Sequence, residues 1–450
     1  MAVAAIMSSR PAIRLWVLAA AVIVFFVLLS SFFSETVRYP LEVAHAKAQD
    51  YFSSSPTSST RNCQDPYRRP GYLHIPQNPD DYRNTTWIPF TEDFLNAEPP
   101  EYAAYPPKHE LVFNETEIEP EFLEAPGVPT PWMQLATKEN VRRKKAAADN
   151  LLDGKRNLTV SDFAGMKDEG GFGWLWGRRV VMFSDSVDRY NTQFFCEEFG
   201  SASKYPIRHK SGRQAKAICE IPAFNLTLVY LHSTGSFTYR PDWWWIDNLR
   251  DVAWEERWNK FWKPHSEPIQ GPTGRPDLIL WQNGLWDQRA FWEGGAAMHD
   301  TQTQEAKLMT IHKRKMVWEE LRFATARIKL VAKRLNDEFG ADAPIMFRAL
   351  TLRKNTGMED AMMLELDRLG RAIAEQAGHE VFEWARTISL LGNLYRDGMH
   401  PGKGASSWLW GNMILEYLAR SAGGKIDEAR APYFDGWDSC HSELAGWGGR

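Results

Sequence analysis

The sequence predicts an α/β fold: a three-layer α/β/α sandwich with a mainly parallel sheet of about five strands, preceded by a single transmembrane helix. Three observations carry this expectation. Short apolar runs alternate with amphipathic segments from Arg178 onward. The first, second, third and fifth runs stop in clusters of polar residues, and residues 15–33 form a stretch without a charge. Strands alternating with helices imply a parallel sheet covered on both faces, whose ligands bind outside the carboxyl ends of the strands.

Residues 1–14 read as a cytosolic tail, because Arg10 and Arg14 precede the uncharged run and basic residues stay on the cytosolic side. Residues 15–33 are long enough to cross a bilayer as a helix. Ser34-Glu35-Thr36-Val37-Arg38 offers no small-residue cleavage site, so the segment reads as a retained anchor rather than a signal peptide. Residues 34–60 read as a Ser/Thr/Pro-rich stem, and residues 61–177 as a Pro- and aromatic-rich, irregular region packed on the α/β domain. Residues 178–450 are that domain.

Its strands are read at residues 179–183, 226–231, 278–281, 344–350 and 381–384. Leu308, Ile311, Trp318, Leu321, Ile328, Val331 and Leu335 mark one face of a long helix. Met362, Leu366, Leu369 and Ile373 mark another, stopped by Gly378, and residues 405–422 close the domain as a helix.

Composition narrows the function. With 44% hydrophobic and 24% charged residues the chain can bury a large core, which excludes wholesale disorder. Fifty-three Lys and Arg against 57 Asp and Glu leave a net charge of −4, without the basic footprint of a nucleic-acid binder. Arg142-Arg143-Lys144-Lys145 reads as a solvated helix face. Sequons at Asn84, Asn114, Asn157 and Asn225 fit passage through the secretory lumen. The four cysteines, Cys63, Cys196, Cys219 and Cys440, allow three disulfide pairings. Cys196–Cys219 with Cys63–Cys440 is preferred, since the first closes a short loop and the second ties the ends of the lumenal part. None has metal-ligand spacing.

Acyl transfer through serine needs a nucleophile on a turn, an imidazole, a carboxylate to orient it, and donors for the oxyanion. Ser186 falls where the first strand gives way to a helix. Asp397 and His400 lie three residues apart in a tight Tyr395–Pro401 loop, a spacing that lets the carboxylate reach the near ring nitrogen. Asn283, after the third strand, carries an amide able to donate to an oxyanion, and Gly235, after the second, could bring a backbone N–H to the same place. Trp243, Trp244, Trp245 and Trp286 are candidates to stack on sugar faces; core filling is the commoner role of any one tryptophan, but three in a row at 243–245 cannot all point into one core.

The blocks "VVMFSDSVDRYN", "LILWQNGLWD" and "YRDGMHPG" resemble those of the SGNH/GDSL-like superfamily, and within it the PC-esterase group that includes plant trichome-birefringence-like polysaccharide O-acetyltransferases. The resemblance spans roughly residues 178–422. It implies Ser186 as nucleophile, His400 as general base, Asp397 as its orienter and Asn283 as oxyanion donor. Ser184 stands where the family has glycine. A turn needing positive φ there would strain a serine, and Ser184 is the fallback nucleophile.

The expectation is therefore a single-pass type II enzyme of the Golgi or another secretory-pathway membrane, a glycan O-acetyltransferase working through an acyl-serine. A carbohydrate O-acetylesterase with the same triad and a non-catalytic carbohydrate-binding relic are the alternatives. No bound cofactor or metal is expected. The acyl donor would be acetyl-CoA or a derived acetyl carrier, and a multi-spanning partner would deliver it to the lumen.

Overall fold

The computed structural model describes residues 65–90, 128–150, 156–208, 214–236, 254–298, 315–354, 360–389 and 391–421. The segment 15–33 read as an anchor, Asn114, Cys63, Cys440 and Trp243–Trp245 lie outside them. Among the described residues no helix is long and apolar enough to cross a membrane.

In chain order the main elements are β1 (Gly71–His74), β2 (Thr86–Pro89), α1 (Trp132–Asp149), β3 (Arg179–Ser184), α2 (Ser186–Glu198), β4 (Lys204–Arg208), β5 (Gln214–Ile221), β6 (Leu226–His232), β7 (Leu278–Trp281), α3 (Leu285–Met298), α4 (Trp318–Phe339), β8 (Ile345–Arg348), α5 (Ala361–Gln376), β9 (Glu380–Phe382) and α6 (Ala405–Ser421). A helical stretch at 254–266, with a π-helical turn at Trp258–Trp262, precedes β7.

The sheet has seven strands, in the order β4-β5-β6-β3-β7-β8-β9, not the expected five. The five parallel strands from β6 to β9 are those read from the sequence. The two additions, β4 and β5, run antiparallel at one edge. In β5 the buried positions Ala215, Ala217, Cys219 and Ile221 alternate with more exposed ones, so the strand has one buried face and no continuous apolar run. β1 and β2 form a separate antiparallel hairpin.

From β3 the chain moves to β6 on one side, then returns past β3 to β7, β8 and β9. Right-handed crossovers therefore put α2 on one face, and the 254–266 stretch with α3, α4 and α5 on the other. α6 returns to the α2 face, where Trp410 packs edge-on against Phe195 of α2. On the opposite face Phe183 packs against Trp258 and Phe339, 5.1 and 6.2 Å between ring centroids. The reversal of direction at β3 makes its carboxyl end the switch point of the sheet.

Two expectations about residues 61–177 need correction. The 18-residue helix α1 lies inside the stretch read as irregular. Its first turn is held from a distance: Asn412 Oδ1 on α6 accepts from Met133 N at 2.9 Å, and Trp132 Nε1 donates to Glu416 Oε2 at 2.6 Å. Arg143, read as part of a solvated face, is fully buried. It bonds Glu139 and the carbonyls of Ala223 and Glu169, and its guanidinium lies over the Phe224 ring. A buried guanidinium needs such a full set of acceptors.

Of the long helix read across 308–335, the described part is α4, starting at Trp318. Gly378, with φ of 78°, follows α5 as expected of a stop glycine. Cys196 and Cys219 form a disulfide that pins the end of α2 to β5.

Candidate active site

β3 ends at Ser184, and Asp185 caps the helix that follows, its Oδ1 accepting from Val187 N at 2.9 Å. Ser186 is thus the first residue of α2, half-buried at the sheet's switch point. Backbone N–H groups and the positive end of the helix dipole surround a residue in this place.

The loop carrying Asp397 and His400 is a tight structure of its own. Tyr395 bridges Pro401, Arg396 N donates to His400 O at 2.9 Å, and Tyr395 Oη donates to Leu352 O at 2.8 Å. Asp397 Oδ1 accepts from the backbone N–H of Met399 and of His400, both at 2.8 Å. His400 Nδ1 lies 3.0 Å from each Asp397 oxygen, and its Nε2 lies 2.7 Å from Ser186 Oγ. An ionised carboxylate can only accept, so the neutral imidazole carries its proton on Nδ1 and Nε2 is left to accept from the serine hydroxyl. Partial burial pushes the Asp397 carboxyl up, but the two backbone N–H groups and the imidazole outweigh it and hold it below the usual carboxylate range. Three side chains from two distant parts of the chain thus form one relay, and Ser186 is the hydroxyl in it.

Ser184 is elsewhere. It is fully buried, pairs in register with His232 of β6, and its hydroxyl donates to Asp188 Oδ2. Among the described residues only Asn225 of the non-glycines has positive φ, so a serine at 184 is not strained. Asp188 belongs to a buried ion network that the sequence reading missed. Arg348, the last residue of β8, donates from Nε to Asp188 Oδ2 at 2.8 Å and from Nη2 to Asp185 Oδ1 at 3.4 Å. Trp410 Nε1 donates to Asp188 Oδ1 at 3.2 Å. The guanidinium therefore grips both acidic residues that flank Ser186. The signal was present: one arginine in the apolar run Ile345–Ala349 has to be paired if the run is a buried strand.

Asn283 follows β7, the neighbour of β3, and is fully buried. Neither its amide nitrogen nor its oxygen has a hydrogen-bond partner among the described residues. Gly235 has φ of 93°, and a Cβ there would overlap the Asp287 carboxylate, which accepts from Ser236 N at 2.9 Å. Asn283 and Gly235 line one cavity of about 10 Å³, with room for no more than one water, and its lining includes neither Ser186 nor His400. Trp286, half-buried, packs edge-on against His232 at the end of β6, 5.9 Å between centroids. The relay is flanked instead by Tyr190, whose ring meets His400 edge-on at 5.0 Å, a neighbour that the sequence reading also missed.

Of the sequons, Asn84 and Asn157 are exposed. Asn225 is partly buried, and its Oδ1 accepts from Arg179 at 3.1 Å. No group of acidic, His or Cys side chains able to hold a metal occurs among the described residues.

No family model matches the chain, and no curated protein matches it. Among solved structures it is similar to Axe2, an acetylxylan esterase from Geobacillus stearothermophilus (14% identity, 55% of this chain and 95% of that one, TM-score 0.29). It is also similar to LAE5, an α/β hydrolase enzyme from the metagenome of Lake Arreo, Spain (14%, 54% and 96%, TM-score 0.31). A third is the acetyl xylan esterase AlAXEase (13%, 54% and 99%, TM-score 0.28). Likeness at this level identifies neither a shared topology nor a shared activity.

Proposed function

We propose that the protein is a serine-dependent enzyme of acyl-ester chemistry, acting on O-acyl groups, foremost acetyl, of a glycan. The observation that carries the reading is the Ser186–His400–Asp397 relay, with contacts of 2.7 and 3.0 Å, at the switch point of a mainly parallel sheet. In this mechanism Ser186 Oγ attacks the ester carbonyl while His400 Nε2 takes the hydroxyl proton. Asp397 holds the ring and stabilises the imidazolium. The proton passes to the leaving alkoxide, and an acyl-serine remains. A second hydroxyl then gives its proton to Nε2, attacks the acyl carbon and restores Ser186. Asn283 and the Gly235 backbone are the proposed oxyanion donors, on their place just after the two strands that flank β3; the cavity they line includes neither Ser186 nor His400.

The second hydroxyl belongs to water in an esterase and to a sugar in a transferase. The finer reading is the transferase of the PC-esterase type, anchored in a secretory membrane, with acetyl-CoA or a derived carrier as donor and a multi-spanning partner to deliver it. The uncharged run at 15–33, the sequons and the three sequence blocks support it. Incubating the full chain with an acetyl donor, with and without oligosaccharide acceptors, and following both acetate release and acceptor mass separates the two. No acyl-enzyme and no acetate from any ester would overturn the proposal.

A further inference from the structure

The chain carries a net charge of −4, yet cations gather at the rim of the relay. Tyr190 lies one turn of α2 beyond Ser186 and touches the His400 ring. Two guanidiniums lie over its ring, Arg189 at 4.2 Å and Arg396 at 4.4 Å from the centroid. Arg189 also donates to the neutral amide of Gln214, and it has no carboxylate partner among the described residues. Arg396 is half-exposed, and the carboxylate beside it is Asp397 at 3.8 Å, which is already shared between His400 and two backbone N–H groups. Lys354 borders the same loop, its backbone N–H donating to Gly398 O at 3.0 Å.

Arginines are normally matched by carboxylates, and stacking on an aromatic ring leaves the N–H edge of a guanidinium free to bind an anion. Here two of them share one ring, and that ring touches the catalytic imidazole. The like charges repel each other, a cost that a bound anion would relieve. Ser186 is linked to this pair through His400, whose ring touches Tyr190 and whose Nε2 lies 2.7 Å from Ser186 Oγ.

We propose that Arg189 and Arg396 form an anion-binding subsite for the carboxylate of a uronic-acid residue adjoining the acylated sugar. The inference rests on the proposed ester chemistry and adds an acidic glycan as the substrate class. Tyr190 acts as the spacer that keeps both guanidiniums beside His400. A phosphate on an acyl donor would offer similar anionic oxygens, so the test includes that source.

The full chain is assayed with acetylated xylo-oligosaccharides and with acetylated galacturono-oligosaccharides of matched length, at low salt and at about 0.5 M NaCl, where the screening length falls to a few ångströms. The acidic substrate should have the higher kcat/KM at low salt, by about ten- to a hundredfold, the worth of one charge-assisted hydrogen bond. Salt should shrink that ratio toward unity. Arg189→Gln and Arg396→Gln should each lower the ratio through KM, and Arg396→Lys should retain part of it. Equal kcat/KM for the two substrates at low salt would overturn the proposal, as would a preference untouched by salt and by both substitutions. A preference for a phosphate-bearing donor such as acetyl-CoA, lost in both variants while the glycans are not distinguished, would assign the arginines to the donor and overturn the uronate reading. Failure of the underlying ester chemistry looks different: the wild type would release no acetate from either oligosaccharide or from an aryl acetate.

Discussion

Replacing Arg348 by methionine should destabilise the protein by about 3–5 kcal/mol near pH 8, because it strands a buried carboxylate. The side chains of Arg348 and Asp188 are 1% and 0% exposed, and their contact is 2.8 Å. Burial lifts the Asp188 carboxyl above its ordinary value, and Arg348 is the main influence opposing that rise. Methionine is of similar length and apolar, so the loss is mainly electrostatic. Trp410 and Ser184 still donate to Asp188, which keeps the cost within that range rather than at that of an isolated buried ion. One kcal/mol is worth about 2–4 °C of melting temperature in a large domain, so the variant should melt roughly 6–20 °C lower.

The sign of the pH dependence follows from the direction of the Asp188 shift. A carboxyl whose folded pKa exceeds its unfolded value holds its proton more readily when folded, so stability falls as pH rises from the unfolded value through the folded one. Without Arg348 the folded value climbs further. The gap between variant and wild type should therefore be narrower at pH 5 than at pH 8. The assay is reversible denaturation of the wild type, Arg348→Met, Asp188→Asn and the double variant at both pH values. The double variant should be more stable than Arg348→Met, because no charge is left stranded. A cost under about 1 kcal/mol, an equal cost at both pH values, or a double variant worse than the single would refute the network.

Ser186→Ala should abolish acyl-enzyme, read by intact mass, with the fold retained, whereas Ser184→Ala should leave the acyl-enzyme step and act on stability instead. Asp397→Asn can still accept the two backbone N–H bonds but leaves the imidazole in the wrong tautomer. Turnover should fall by about four orders of magnitude with little change in melting temperature, and near-normal turnover would end the relay. Asn283→Ala should lower kcat by about 10²–10³ if the amide serves the oxyanion. Its cost in stability should stay near 1 kcal/mol or less, because the amide has no hydrogen bond to lose. Burial lifts the Glu416 carboxyl to about 7 against the donor Trp132. Stability should therefore fall between about pH 5 and pH 8, and Glu416→Gln should flatten that fall in melting curves.

The parallel strands were legible because each is an apolar run broken by polar residues, and Asp397–His400 because the pair is local. β5 was not, since its buried face is built from Ala215, Ala217 and Cys219, too small to register as an apolar run. β4 carries Pro206 and sits at the edge, where proline is tolerated but reads as loop. α1 lacked a local start signal, because Pro131 gives no side-chain cap and the acceptor for Met133 N comes from Asn412, 279 residues away. The contact of Ser186 with His400 spans 214 residues and could be expected only from the order of strands in the sheet. Arg348 and Asp188 were readable in principle: each is a charged residue on a face that must be buried, and two such residues of opposite sign ask for each other.

That network also accounts for the serine at 184. A glycine is needed at the end of a strand when the turn requires positive φ or when a neighbour leaves no room for Cβ. Neither holds here: the residue stays in register opposite His232, and its side chain has a use, donating to Asp188. Beneath Ser186, then, lies a buried layer of Asp185, Asp188, Arg348 and Trp410, each hydrogen-bonded to another, that ties the start of α2 to β8 and α6. Around it lies a more exposed rim of Tyr190, Arg189 and Arg396. Ser186 stands where the two meet. Changes in the lower layer should register in stability and kcat together, because a misdirected helix moves the hydroxyl away from His400. Changes in the two rim arginines should register in KM and in salt dependence, because the proposed subsite holds a part of the substrate that does not react.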